Sequence, residues 1–182
     1  MKKLFFFAAF AAILMSCGPK QLEMGDVVFD YPGIYKVSNF DEDGDLVTAT
    51  VDDDIKTSMD YVFLEVLKED SESIAEADPA ILNAYLAGRA YEIYDIFLPD
   101  EKFQLTKGVE GEYEVEVNDV PGKDYPEASI SIKGVYYDET MYGFVYSTIL
   151  DGRYRVSAYG QASTEDYLET LEDIFRSARI KE

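Results

Sequence analysis

The run Met59 to Lys68, MDYVFLEVLK, is apolar on both of the faces a strand presents. Successive strand side chains point to opposite sides, so Val62, Leu64 and Val66 share one face and Met59, Tyr61 and Phe63 the other. A strand of this kind needs cover on both sides. Two helical segments read as that cover. Asp78 is a suitable N-cap, Pro79 fits the first helical position, and Leu82, Leu86, Ala90, Ile93 and Phe97 recur on one stripe until Pro99. Gly88 inside this helix is unfavourable by about 1 kcal/mol against alanine, which suggests close packing. The second helix is expected from Ser163, with Asp166 three residues on as an acidic capping-box partner. Leu168, Leu171, Phe175 and Ala178 form its buried stripe. Early Glu165, Asp166 and Glu169 and late Arg176, Arg179 and Lys181 complement its dipole.

The remaining strands are expected at Val27–Asp30, Tyr35–Phe40, Leu46–Val51, Phe103–Thr106, Tyr113–Val117, Ala128–Tyr137, Tyr142–Leu150 and Tyr154–Tyr159. Asp41–Asp45 (DEDGD) and Asp151–Gly152 carry Asp-Gly hairpin signals, and the Pro- and Gly-bearing tract Asn118–Glu127 reads as a loop. Hairpin-length links imply an antiparallel sheet. The expected fold is α+β, an antiparallel sheet with helices on both faces in an α/β/α sandwich.

The amino terminus has a different character. Lys2 and Lys3 precede an apolar run from Leu4 to Met15, which ends at Ser16, Cys17, Gly18 and Pro19. The run is too short for a membrane span, which takes about 20 residues, and has the layout of a secretory signal. Leu14-Met15-Ser16-Cys17 resembles the lipobox of bacterial lipoproteins. That resemblance implies cleavage before Cys17, a diacylglyceryl group on its thiol and a lipid-anchored protein of the bacterial envelope. Gly18, where enteric lipoproteins kept at the inner membrane tend to carry Asp, points to the outer membrane, its periplasmic or surface face left open. The alternative is an unlipidated signal, which would leave a lone thiol in an exported chain. The expected layout is a signal over residues 1–16, a lipidated N-terminus and mobile polar tether over 17–26, and one globular domain over 27–182.

Removing 16 of 182 residues leaves 166, enough for one sizeable core. The formal charge is −21, and −23 once Lys2 and Lys3 leave with the signal. Such a chain repels phosphate backbones, so nucleic acid is excluded as a partner, and anionic lipid is disfavoured without the acyl anchor. There is no His, no Trp and no second Cys, so the core rests on burial, with 15 Tyr supplying large apolar surfaces.

Two stretches carry a further likeness. Phe29-Asp30-Tyr31-Pro32-Gly33 stands just before a strand containing Tyr35, and Tyr154-Arg155-Val156-Ser157-Ala158 precedes a last helix that runs into Phe175-Arg176-Ser177. With the order strands, helix, strands, helix, the chain resembles the PsbP-like proteins, which implies a binding or assembly scaffold. The resemblance assigns no catalytic residue to any position here.

Candidate chemistry is sparse. Asp41, Asp43 and Asp45 have the one-three-five spacing of a calcium loop, but Leu46 and Asp52 stand where Gly and Glu are required. A solvated hairpin loop is the simpler account, and the same holds for Asp52-Asp53-Asp54. Nucleophilic triads and zinc sites usually recruit histidine, which is missing. No cofactor is called for. Tyr136, Tyr137, Tyr142, Tyr146, Tyr154 and Tyr159 fall on late strands, either as core under the helices or as an aromatic platform for a protein, peptide or glycan. Arg153 and Arg155 alternate with Tyr154 and are expected on one face. The leading expectation is a non-enzymatic envelope lipoprotein that binds a partner. The alternative is a hydrolase built on carboxylates or a divalent metal.

The reading of Cys17 has a direct check. Intact mass measurement of the protein extracted from membranes is expected to show a chain starting at Cys17 with added acyl mass, and Cys17→Ala is expected to move it to the soluble fraction. An unmodified chain retaining residues 1–16 contradicts the reading.

Overall fold

In a computed structural model the described residues are 18–53, 60–98, 104–105, 115–120, 123–136 and 138–182. The signal, Cys17, Met59, Pro99, Phe103, Thr106, Tyr113 and Tyr137 lie outside them. The large sheet is antiparallel and runs β3 (Tyr35–Asp43), β4 (Leu46–Asp53), β5 (Tyr61–Lys68), β10 (Tyr154–Ala162), β9 (Glu139–Leu150), β8 (Glu127–Tyr136), β6 (Gln104–Leu105). β7 (Glu116–Asn118) shares the outer edge of β8 with β6. A second antiparallel sheet holds β1 (Lys20–Met24), β2 (Val27–Tyr31) and β11 (Arg179–Ile180), with β2 central.

The strand β5 lies inside the large sheet between β4 and β10, and both of its faces are covered. Val62, Leu64 and Val66 enter one core with Met24, Val27 and Phe29 of the small sheet and Leu171, Ile174 and Phe175 of α3 (Glu165–Arg176). Tyr61 and Phe63 pack on the other core. That core holds Leu82, Leu86, Ala90, Ile93 and Tyr94 of α2 (Pro79–Phe97) against Ala128, Ile130, Ile132, Val145 and Ile149. The order is therefore α2, large sheet, then α3 with the small sheet, an α+β fold with helices on both faces. A short helix, α1 (Ser71–Ala75), capped by Asp70, was not expected from the sequence; it seats Ile74 in the α2 core.

Local signals set most boundaries. The Asp78 side chain accepts the Ala80 N–H at 2.8 Å and starts α2. Asp151 and Gly152 both have positive φ, 52° and 63°, and Arg153 N–H reaches Leu150 C=O at 3.2 Å, closing the tight turn between β9 and β10. The Asp41–Asp45 segment is less of a loop than expected. Asp41, Glu42 and Asp43 pair with Thr48, Val47 and Leu46, so only Gly44 and Asp45 turn the chain. The register slips between Ser38 and Asp41, where Asn39 takes φ 49°.

Three expectations need correction. The segment read as a mobile tether contains β1: Leu22 and Met24 are buried, because β2 offers them a paired strand and α3 an apolar cover. Its alternation, GPKQLEM, was masked by short length and polar flanks. The last helix starts one residue later than expected, with Thr164 as N-cap, and it ends at Arg176, so that Arg179 lies in β11 and pairs with Asp30, and Lys181 pairs with Glu23, instead of closing the helix dipole. Ser163 is instead held by buried Asp60, which accepts its N–H at 2.6 Å and its hydroxyl at 3.1 Å. Gly88 does not mark close packing; it is exposed, with no atom near the position a Cβ would take.

The glycine that does mark close approach is Gly160 in β10, which pairs with Phe144 across the ladder. A Cβ at Gly160 would overlap the Phe144 ring, which is buried and stacked on Tyr146 at 4.6 Å. Gly160→Ala is expected to cost about 1–3 kcal/mol of stability by overpacking, read from urea unfolding. A change below about 0.5 kcal/mol would show that the ring can yield.

Candidate functional site

Three of the late-strand tyrosines are core. Tyr146 and Tyr154 belong to the α3-side core and Tyr159 to the α2-side core, where it stacks on Phe97 at 4.6 Å. Tyr142 is half-buried under the Lys133 ammonium. Tyr137 and the Tyr136 side chain lie outside the described residues. Arg153 and Arg155 part company. Arg153 stays exposed at the turn and pairs with Asp151, while Arg155 is buried beneath α2.

Arg155 belongs to a charged cluster that sequence reading missed. Glu65, 2% exposed, interrupts the apolar row of Tyr61 and Phe63 on the α2 side of β5. It accepts from Arg155 Nη2 at 3.1 Å and from Arg89 Nε at 3.0 Å, with Arg89 Nη2 on its second oxygen. Arg89 also reaches Glu92 at 2.8 Å. Tyr85 bridges the rim, donating to Glu69 and accepting from Arg155. Burial opposes the charge on Arg89, but its bonds to Glu65 and Glu92 prevail and raise its pKa. Burial and the bond to Glu69 push the Tyr85 phenol up to about 12. The signal in the sequence was a lone Glu in an apolar strand and a lone Arg in the next apolar row. Their pairing across 90 residues was not legible.

This cluster fastens the inner side of α2 and brings its outer side into view. Among the described residues seven large apolar or aromatic side chains are exposed, and four of them, Ile81, Tyr85, Tyr91 and Ile96, are on α2. Ile81 and Ile96 are 67% and 64% exposed. At 1.5 Å per residue they lie about 22 Å apart, so the surface runs for some four turns. Ala84 and Gly88 lie between them, exposed and one turn apart, and leave the backbone thinly covered. The outer face of α3 differs, being lined by exposed Glu165, Asp166, Glu169, Asp173 and Arg176. Among the described residues no helix is long and apolar enough to cross a membrane.

The carboxylates do not assemble into a comparable site. A cavity of about 170 Å³ lies between the Gly25–Asp26 turn, the Gly44–Asp45 turn, Lys68 and Tyr154. Its three carboxylates, Asp26, Glu42 and Asp45, are exposed. Asp26 accepts the Tyr154 hydroxyl at 2.6 Å. The buried acids are engaged elsewhere: Asp60 by Ser163, Glu65 by Arg89 and Arg155, Glu127 by Lys123 and Arg176. Asp41 and Asp43 lie in a paired strand, and among the described residues no group of three acidic or thiol side chains is placed to share a cation.

No family model matches the chain, and no curated protein does. Two solved structures are similar in chain path. One is a protein of Bacteroides thetaiotaomicron VPI-5482, with TM-score 0.52 and 7% identity over 91% of this chain. The match takes up 49% of that protein, so the chain spans about half its length. The other is LpqN, involved in cell envelope biogenesis of Mycobacterium tuberculosis, with TM-score 0.42, 12% identity and 91% of both chains covered. At such identities the likeness to the Bacteroides protein is one of fold alone.

Glu65 tests whether the cluster holds α2. Removing it leaves Arg155 and Arg89 without their shared carboxylate, and breaking a buried pair in this way costs about 3–5 kcal/mol. Glu65→Ala is expected to lower the unfolding free energy by that amount in a urea titration. A loss under about 1 kcal/mol, the level of a surface pair, would mean the cluster adds little.

Proposed function

We propose that the protein is a lipid-anchored envelope module without catalytic activity, and that it binds a protein partner through the outer face of α2. The observation that carries this reading is that Ile81, Tyr85, Tyr91 and Ile96 are all exposed on a helix whose inner side is already buried. Exposed apolar surface organised along one element marks an interaction site more often than scattered single residues do.

The anchor supports the same arrangement. β1 begins at Lys20, three residues beyond Cys17, a link that reaches at most about 10 Å. An acylated Cys17 therefore holds the small sheet close to the headgroups. The small sheet and α2 lie on opposite faces of the large sheet, which leaves the α2 surface to a partner and not to the bilayer. The PsbP-like reading fits this picture, because its two stretches meet in space. The Asp30 N–H donates to Ser177 Oγ at 2.8 Å, and Arg179 forms a two-pronged pair with Asp30 at 2.7 and 2.9 Å. The outer membrane is the location we propose.

Site-specific photo-cross-linking in intact membranes tests the reading. A photoreactive residue in place of Ile81 or Ile96 is expected to yield the same discrete cross-linked protein, and one in place of Glu169 on the outer face of α3 is expected to yield none. Equal yields from both helices, or none from α2, would remove the proposal.

A further inference from the structure

The surface from Ile81 to Ile96 carries information about the charge of its occupant. From Glu69 to Phe97 the chain holds seven carboxylates, on Glu69, Asp70, Glu72, Glu76, Asp78, Glu92 and Asp95, and one guanidinium, on Arg89. Arg89 is held by Glu65 and Glu92, and Arg155 beneath it by Glu65 and Glu69. Both basic groups of this region are thus neutralised from within the domain. Glu92 and Asp95 are exposed on the same face as Ile81, Gly88 and Ile96. An incoming surface meets apolar side chains flanked by carboxylates.

The sign of that rim selects among occupants. A second copy would set the same acidic face against itself, in a chain of formal charge −21. Like charges brought together across an interface cost several kcal/mol. An anionic lipid surface is repelled in the same way. Resting on the docking role given to α2 above, we propose that its occupant is an amphipathic segment of another protein, apolar along one stripe and bearing Lys or Arg beside it. Its apolar stripe covers Ile81, Tyr85 and Ile96, its backbone approaches closely at Ala84 and Gly88, and its cations meet Asp95, beside the exposed Glu92 carboxylate that Arg89 already engages. The length of this face suits a helix of about four turns.

Two synthetic amphipathic peptides with the same leucine stripe, one flanked by lysines and one by glutamates, serve as probes. The target is the full mature protein in a nonionic detergent. The lysine peptide is expected to bind at least about tenfold more tightly at low salt, with the preference shrinking as ionic strength rises. Ile81→Lys combined with Ile96→Lys is expected to abolish binding, and Asp95→Asn to weaken it severalfold; all three positions are exposed, so the fold is retained. Equal affinity for both peptides, or lysine-peptide binding that survives the double isoleucine change, overturns the proposal. So does concentration-dependent dimerisation that the double change removes. If cross-linking from Ile81 still captures a partner while the lysine peptide fails to bind, the docking face stands and its preference for cations falls.

Discussion

The structure depends on burying one sheet from both sides. β5 illustrates the constraint, since Val62, Leu64 and Val66 need cover on one face and Tyr61 and Phe63 on the other. A helix packed on one face leaves the other face uncovered. α2 closes one side over β8, β9 and β10, and α3 with the small sheet closes the other. Without a disulfide, burial of apolar area is the dominant favourable term left to the chain. The glycine at 160 serves this packing directly, because its missing Cβ is the space that Phe144 fills.

Among the described residues, charge enters the α2-side core at the Glu65 cluster, which agrees with the buried apolar stripe in setting how α2 is oriented. Glu65, Arg89 and Arg155 lie between helix and sheet, where a carboxylate alone would be costly and a carboxylate with two guanidinium groups is tolerated. The geometry specifies which face of α2 turns inward, since Arg89 must reach Glu65. Once Leu82, Leu86, Ala90 and Ile93 are inside and Arg89 is fixed at the boundary, Ile81, Tyr85 and Ile96 have only the outside left. The docking surface is the remainder of a helix that has more apolar side chains than the domain can bury.

Much of the fold was legible because it rests on short-range signals. Asp78-Pro79 located the start of α2, Asp151-Gly152 the turn into β10, and the two-sided run at β5 the number of layers. The misreadings share a cause. β1 and β11 are short strands whose only reason to exist is β2, a partner that neither sequence segment announces. Ser163 and Thr164 are equally good caps in isolation, and only Asp60, 103 residues away, takes Ser163 out of the competition. The choice between core and platform for the late tyrosines stayed open because residue type says how much area a side chain has and not which side of the sheet it meets.

By itself the sequence determined the longer elements, the two-sided sheet, the acidity of the surface and the expectation of an anchor at Cys17. Each of these follows from neighbours along the chain or from composition. The tertiary structure alone decided that Glu65 meets Arg155 and Arg89, that Tyr146, Tyr154 and Tyr159 are core, and that Ile81, Tyr85, Tyr91 and Ile96 of α2 are left exposed. Those outcomes are set by which faces meet across tens of residues. A stripe of apolar side chains on a helix reads the same whether a sheet covers it or solvent does, and α2 has both.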